Sequence, residues 1–187
     1  MTSGKKDNVL LHVCCAACAS FVSLEMEKNN YHSVLFYFNP HFNHLEYHYR
    51  FQGLEKMSAT KDLELIVPNY NQDEYFSIIN PFQDKKSIKF ISDEERLNRT
   101  KRELAMDLVL TKLAEKAKEF KIKVVTTSML CSPYRDHNTI WDMGSKISKD
   151  HKLEFYYQDF RKGYWMGRNI ARNSNLAIPS YCSDYLE

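Results

Sequence analysis

Short apolar runs alternate along the chain with longer stretches in which apolar residues recur at helical spacing. The apolar runs have the length of buried strands and lie at 9–13, 33–38, 63–67, 123–129 and 154–157. The amphipathic stretches predict helices at 16–28, 44–61, 93–120, 136–148 and 168–174. Residues 70–90 show neither a strand-length apolar run nor helical spacing of apolar residues, and they are predicted to form an irregular insertion over the sheet edge. Repeated strand–helix–strand units favour parallel pairing, so the pattern predicts an α/β fold with a mainly parallel sheet flanked by helices.

Composition places this pattern in one globular domain spanning residues 1–187. Of the 187 residues, 43% are hydrophobic and 27% are charged, which is enough for one proper core. The formal net charge is only +2, so a nucleic acid would have to be bound by a local basic patch. No apolar run approaches the ~20 residues that cross a bilayer, and no signal-peptide core follows the N-terminus. We therefore expect a cytoplasmic protein without membrane contact, whose thiols stay reduced.

Three of the five cysteines lie where the first predicted strand meets the first predicted helix. Cys14, Cys15 and Cys18 follow the strand directly. The carboxyl edge of a parallel sheet is where α/β folds bind ligands, and a helix N-terminus favours thiolates. The spacing fits a redox dithiol, a zinc corner or part of an iron–sulfur site, and it does not choose among them. A cysteine cluster that only packs in the core is the alternative without chemistry.

More candidate residues follow the predicted strand 123–129. That strand delivers Cys131 to the same sheet edge, where we expect it to approach Cys14 and Cys15. His137, beside Asp136, stands at the start of the next predicted helix. It would serve there as an acid, as a phosphate contact or only as a helix cap.

Aromatic and basic residues near this edge point towards a nucleic acid. Tyr134, Tyr164 and Trp165 fall in predicted loops and can stack on an extruded base, although packing at the core surface is the commoner role of any one ring. Arg96 and Arg99 belong to a basic stretch of the long helix, which is either a solvated face or a phosphate-contacting stripe. No GxxxxGK[ST], GxGxxG or GxSxG occurs, which argues against a nucleotide-hydrolysing enzyme of those kinds.

Several short motifs occur in a fixed order over nearly the whole chain. They are Leu10-Leu11-His12-Val13-Cys14-Cys15-Ala16-Ala17-Cys18-Ala19-Ser20, Phe36-Tyr37-Phe38-Asn39-Pro40, Glu46-Tyr47 with Arg50, Thr126-Thr127-Ser128, Ser132-Pro133-Tyr134 with His137, Tyr157 with Asp159-Phe160-Arg161, and Tyr181-Cys182. Taken together, these motifs resemble the QueH family of epoxyqueuosine reductases.

The resemblance implies an oxidoreductase with a Rossmann-like fold of the adenine nucleotide α-hydrolase type. The implied reaction removes the epoxide oxygen from epoxyqueuosine at the anticodon wobble position of tRNA, the last step of queuosine biosynthesis. The implied cofactor is a 4Fe-4S cluster with an adjacent iron, and Cys14 and Cys15 would be metal ligands. The implied partners are tRNA and an unidentified electron donor.

The chain departs from the family at the second pair of cysteines. Members carry that pair before the long helix, but the corresponding stretch 95–100 contains no cysteine. Either the cluster is held by other thiols or it has been lost. On the first alternative the cofactor-binding residues are Cys14, Cys15, Cys18, Cys131 and Cys182, with Cys14, Cys15 and Cys131 on the metal.

On the reductase interpretation, the proton needed for loss of the oxygen comes from Asp136, His137 or Asp159. The expected tRNA contacts are Arg50, Arg96, Arg99, Tyr134, Arg135 and Arg161. Two other functions stay open. One is an iron–sulfur enzyme that removes sulfur or oxygen from another modified nucleoside, and the other is a non-catalytic tRNA-binding homologue without a cluster.

Overall fold

Five parallel strands form one sheet in the part of the chain that the structure describes. The computed structural model describes residues 6–69, 71–80 and 91–181, and within 91–100 the backbone alone. The strands are β1 (Asp7–His12), β2 (Tyr31–Phe36), β3 (Leu65–Ile66), β4 (Val124–Thr127) and β5 (Glu154–Phe155). Their order is β3-β2-β1-β4-β5, and every neighbouring pair is parallel. The predicted α/β fold with a parallel sheet flanked by helices is confirmed.

Helices connect these strands. They are α1 (Ala16–Lys28), α2 (His44–Lys61), α3 (Asp73–Ile79), α4 (Ile91–Glu119), α5 (His137–Asp150) and α6 (Tyr164–Asn173). Short 3-10 helices at Ser128–Cys131 and Arg161–Gly163 follow β4 and β5. α2 begins where predicted because the Asn43 side chain accepts a hydrogen bond from the Glu46 backbone and caps the helix. Among the described helices, none is both long and apolar enough to cross a membrane.

The strand order opens a crevice at the carboxyl edge of the sheet. From the central strand β1 the chain proceeds outwards to β2 and β3, and it then crosses back to β4 and β5. The connections that leave β1 and β4 therefore diverge, and the gap between them is the switch point at which such sheets bind ligands. Residues 13–15 and 128–136 border this gap.

The central strand is buried on both of its faces. Val9, Leu10 and Leu11 have no exposed surface, and Leu10 lies opposite Val34 on β2 and Val125 on β4. Helices cover both faces of a parallel sheet, so its inner strands are continuous apolar runs. The residues that follow β1 therefore emerge from the middle of the core.

The last helix begins four residues earlier than predicted. α6 starts at Tyr164, so Tyr164 and Trp165 lie in its first turn and not in a loop. The helix packs on α1, and a Cβ at Gly167 would overlap the carbonyl oxygen of Ala17. Glycine permits this close approach, but its low helix propensity obscures the helix in the sequence.

Two further segments differ from the predicted elements. Residues 73–79, predicted to be irregular, form α3, in which Tyr75 and Ile79 are buried one turn apart. β4 ends at Thr127 rather than at 129, because the Thr127 hydroxyl accepts a hydrogen bond from the Met129 backbone and starts a 3-10 turn. Cys131 therefore lies on that turn. Residues 70 and 81–90 of the predicted insertion lie outside the described part of the chain.

Candidate metal centre

Three thiols converge where β1 turns into α1. Cys15 is the N-cap of α1 and has an extended backbone, with φ −165° and ψ 161°. The Sγ atoms of Cys14, Cys15 and Cys18 all lie within 4.8 Å of one another, and the three side chains are buried. Sulfurs bound to one tetrahedral metal at about 2.3 Å lie roughly 3.8 Å apart. The spacing therefore suits metal binding with little rearrangement.

The electrostatics of this group favour a thiolate at Cys15. Hydrogen bonds with Cys14 and Cys18 lower the pKa of Cys15 well below its usual value, and the charge of Arg50 acts in the same direction. The hydrogen bond with Cys15 in turn raises the pKa of Cys14, which keeps its proton. The N-terminus of α1 adds a partial positive charge. A deprotonated sulfur is the form that binds metals.

Arg50 supports this corner from inside the protein. Its buried Nε donates to Glu46 at 2.6 Å, Nη2 to the Tyr181 carbonyl at 3.0 Å and Nη1 to the Cys14 carbonyl at 3.5 Å. The rings of Phe42 and Tyr181 lie 4.3 and 5.3 Å from the guanidinium carbon. The structure argues against the predicted contact of Arg50 with a tRNA phosphate, because the guanidinium is enclosed and each of its nitrogens already donates.

A chain of hydrogen bonds ties together the ends of β1, β2 and β4. Asn39 Nδ2 donates to the Val13 carbonyl at 3.0 Å, which leaves Asn39 Oδ1 to accept from His12 Nε2 at 3.2 Å. His12 Nδ1 then accepts from the Thr127 hydroxyl at 2.9 Å, and the Thr127 oxygen accepts from the Met129 backbone. Burial lowers the pKa of His12 to about 4, so the ring is neutral at physiological pH, as this pattern requires.

A narrow cavity with both polar and apolar walls adjoins this hydrogen-bond chain. Its walls are His12, Asn39, His41, Arg102, Ala105, Met106, Val109, Met129 and Arg135. About 10 Å³ is open to the centre of a water molecule, which is room for about one water. Both ring nitrogens of His41 are buried without a partner in the described part of the chain. Burial and then the charge of Arg135 lower the pKa of His41 well below its usual value.

Cys131 does not join the three thiols. It is fully buried on the 3-10 helix after β4 and lies outside the group of mutually close sulfurs. Ser128 reaches the corner instead: its hydroxyl accepts from the Cys14 backbone at 3.1 Å and lies 3.5 Å from Cys14 Sγ. Cys131 therefore does not come as close to Cys14 and Cys15 as these two sulfurs come to Cys18, because β4 ends early, and its role as a metal ligand stays a prediction. Cys182 lies outside the described residues.

The two carboxylates predicted as proton donors are engaged in local structure. Asp136 is the N-cap of α5 and accepts from the Asn138 backbone at 3.1 Å and from the Thr139 hydroxyl at 2.6 Å. Asp159 accepts from Arg161 Nε at 2.9 and 3.0 Å, and these hydrogen bonds lower the pKa of Asp159 to about 2. Asp159 is therefore ionised at neutral pH, and Asp136 is a helix cap, so the structure argues against both as proton donors.

His137 differs from these carboxylates. Its Nδ1 lies 3.3 Å from the Tyr157 hydroxyl, while its buried Nε2 has no partner among the residues described. Burial and then the charge of Arg161 lower the pKa of His137, so the ring is neutral and carries one N–H. The buried Nε2 is the ring atom without a hydrogen-bond partner, and the neutral ring must take up a proton before it can donate one.

The predicted tRNA contacts are spread over different surroundings. Tyr134 is exposed, Arg135 is half-buried at the cavity, and Arg161 is exposed but paired with Asp159. Arg96 and Arg99 lie on α4, where only the backbone is described.

Sequence reasoning missed the polar residues around the cavity. His12 and Asn39 stand in the sequence analysis only as parts of motifs, and His41 was not singled out. Their positions were the available signal, because His12 ends β1, and Asn39 and His41 lie within five positions of the end of β2, at the edge that carries the thiols. Arg102 lies 63 positions after Asn39, so its place in the sequence did not indicate that it lines the same cavity.

A doubly wound parallel sheet with three thiols at its switch point defines an α/β protein with a thiolate centre for redox or metal chemistry. The family model for the epoxyqueuosine reductase QueH matches residues 9–185, and the chain belongs to that family. It is thus an oxidoreductase, and the resemblance read from its motifs is confirmed.

Curated relatives agree with this assignment, and a solved structure shares the fold. The epoxyqueuosine reductase QueH of Dehalococcoides mccartyi is 24% identical and aligns over 93% of this chain and 88% of its own length. That of Thermotoga maritima is also 24% identical, over 93% and 86%. The crystal structure of a predicted tRNA methyltransferase subunit from Methanocaldococcus jannaschii has a TM-score of 0.54 at 12% identity, covering 88% of this chain and 74% of that one. This last likeness concerns the fold alone.

Proposed function

We propose that the chain reduces epoxyqueuosine to queuosine in tRNA, the last step of queuosine biosynthesis. The observation that carries the proposal is the group of three buried thiols at the switch point of a chain that belongs to the QueH family. The reaction converts the epoxide into an alkene and water and consumes two electrons and two protons. An external electron donor supplies the electrons, and we expect the reaction in the cytoplasm, where thiols stay reduced.

The proposed cofactor is a 4Fe-4S cluster, with an additional iron beside it. Cys14, Cys15 and Cys18 are its proposed ligands. Their sulfurs are now spaced as around a single ion, so the three thiols would have to move apart to bind separate irons of the cluster. When bound, such a cluster supplies electron transfer and a Lewis-acidic iron. Cys182 is the proposed fourth cysteine: the carbonyl of Tyr181 accepts from Arg50, whose guanidinium also donates to Cys14.

The chain's own residues have separate roles in this proposal. Arg50 compensates the negative charge of the thiolates from within the core. His137 is proposed to transfer the proton: its neutral ring first takes up a proton and then donates it, and the Tyr157 hydroxyl holds the ring in place. Tyr134, Arg135 and Arg161 are proposed to contact the tRNA, together with Arg96 and Arg99 on α4.

The deciding experiment is anaerobic reconstitution with iron and sulfide, followed by incubation with tRNA that contains epoxyqueuosine. We expect bound iron and acid-labile sulfide, visible absorption from the cluster, and queuosine in the digested tRNA. Absence of bound iron would contradict the cofactor. A loaded protein that leaves epoxyqueuosine unchanged under a strong reductant would contradict the substrate, and would favour action on another modified nucleoside.

A further inference from the structure

Two large exposed rings flank a common buried ring beside the crevice. Tyr134 and Trp165 are 65% and 68% exposed, whereas Tyr164 between them is 7% exposed. The Tyr164 ring centroid lies 5.9 Å from that of Tyr134 and 5.2 Å from that of Trp165, with nearly perpendicular planes. Single exposed rings are common, but rings that are concentrated in one patch mark an interaction surface. We call Tyr134, Tyr164 and Trp165 the ring surface.

Cationic side chains surround the ring surface. In sequence Arg135 follows Tyr134, and Lys162 precedes Tyr164 by two positions; the Arg168 guanidinium carbon lies 5.8 Å from the Tyr164 ring centroid. Residues 132–137 and 157–168 contain the cations Arg135, Arg161, Lys162 and Arg168 and the acids Asp136 and Asp159. Asp136 caps α5, and Asp159 pairs with Arg161, which offsets one charge of each sign. The four cations still outnumber the two acids. The patch is therefore complementary to a polyanion and not only apolar.

The ring surface lies on the same side of the sheet as the candidate metal centre. Helices of a parallel α/β sheet begin at its carboxyl edge, and Tyr164 and Trp165 open α6 there. α6 packs on α1, the helix that carries Cys18. Tyr134 follows the 3-10 helix whose Ser128 contacts Cys14. A ligand on the rings would thus extend alongside the crevice.

We propose that the ring surface binds the unpaired bases next to the reacting nucleoside, in a single-stranded RNA loop. One base stacks on Tyr134 and another on Trp165, while Arg161 and Arg168 lie near the phosphates between them. Stacking on aromatic side chains is how proteins bind unpaired bases, and cations that follow the backbone add affinity. The inference rests on the proposed function in so far as tRNA is the substrate. A partner protein or a second copy would use the rings without needing the cations.

The test is binding of a fluorescent RNA hairpin with an unpaired anticodon-type loop to the full chain, followed by anisotropy. We expect Trp165→Ala and Tyr134→Ala each to weaken binding about 10-fold. Trp165→Phe keeps a ring and should restore most of the affinity. Phe120→Ala is the matched control: Phe120 is also exposed and has Lys116 over its ring at 5.8 Å, but it lies at the end of α4 that leads into β4, at the opposite sheet edge. It should leave binding unchanged.

Three results would overturn the proposal. They are unchanged hairpin binding by folded alanine variants, equally tight and ring-dependent binding of a fully paired duplex, and self-association of the wild type that Trp165→Ala abolishes. The outcome is separable from that of the proposed function. If the loaded protein binds the hairpin through the rings but never forms queuosine, the proposed reaction is contradicted, whereas RNA binding by the ring surface is supported. If queuosine forms from tRNA equally well with Trp165→Ala, the reaction stands and the surface fails.

Discussion

The segments that follow β1 and β4 border the same crevice but are built differently. After β1, three thiols meet, and a buried arginine and a helix N-terminus compensate their charge. After β4, a 3-10 turn buries Cys131 apart from those thiols and is followed by the exposed ring of Tyr134. Parallel pairing brings both segments to one edge, but the first turn after each strand decides which atoms meet there.

The largest expected effect is the difference in iron binding between variants of Cys15, after β1, and of Cys131, after β4. Cys15→Ser should abolish most iron binding after anaerobic reconstitution, because it removes the thiol that is closest to being a thiolate. Cys131→Ser should bind as much iron as the wild type, since Cys131 lies outside the thiol group. The measurement is iron and sulfide per folded chain. Equal losses in both variants would show that the two segments share one metal site.

The next largest effect concerns Arg50, the buried arginine that supports the three thiols after β1. Arg50→Met leaves Glu46 and the carbonyls of Cys14 and Tyr181 without their donor, and it should lower the free energy of unfolding by about 3–5 kcal/mol. Arg172→Met, at an exposed arginine of α6, should change it by less than about 0.5 kcal/mol. Urea denaturation measures both. Equal midpoints for Arg50→Met and the wild type would remove Arg50 from the supporting structure.

The buried His41, which follows β2, should make the free energy of unfolding depend on pH. Burial lowers the pKa of His41, so below about 6.5 the unfolded chain binds a proton that the folded chain does not. The free energy of unfolding should therefore fall as the pH decreases through this range, by at most about 1.4 kcal/mol per pH unit for this group. His41→Gln should flatten the dependence, and denaturation at a series of pH values tests this. Identical slopes would mean that His41 does not titrate in this way.

The smallest effect tests the segment after β4. Asp136→Ala removes the N-cap of α5 and should cost about 1 kcal/mol of stability, whereas Asp136→Asn keeps a capping oxygen and should cost less. Neither should slow queuosine formation by the loaded protein. A large loss of turnover in a fully stable Asp136→Asn would instead make this carboxylate part of the reaction.

Much of the fold could be predicted, because buried parallel strands are apolar on both faces and stand out from the helices between them. The limits of α1 and α2 were predicted correctly from the helical spacing of their apolar residues, and the structure adds Asn43 as the cap of α2. α6 could not be located as well: Gly167 looks like a helix breaker, and only the carbonyl of Ala17 on another helix explains it.

The candidate site was predicted where neighbours in sequence are also neighbours in space. Cys14, Cys15 and Cys18 need only one strand-to-helix turn to meet. Arg50 could not be recognised, because a charged residue on a helix is usually exposed, and its partner Tyr181 lies 131 positions away. Cys131 was misplaced because the strand was extended through the residues of the 3-10 turn.

The hydrogen bonds from Thr127 through His12 and Asn39 to Val13 fasten three strand ends into one rim. This side of the crevice is rigid, because none of the hydrogen-bonded groups can shift without leaving a buried polar group unpaired. The neighbouring cavity holds about one water, far less than a nucleoside. A bound nucleoside would therefore need more room than the cavity beside this rim provides.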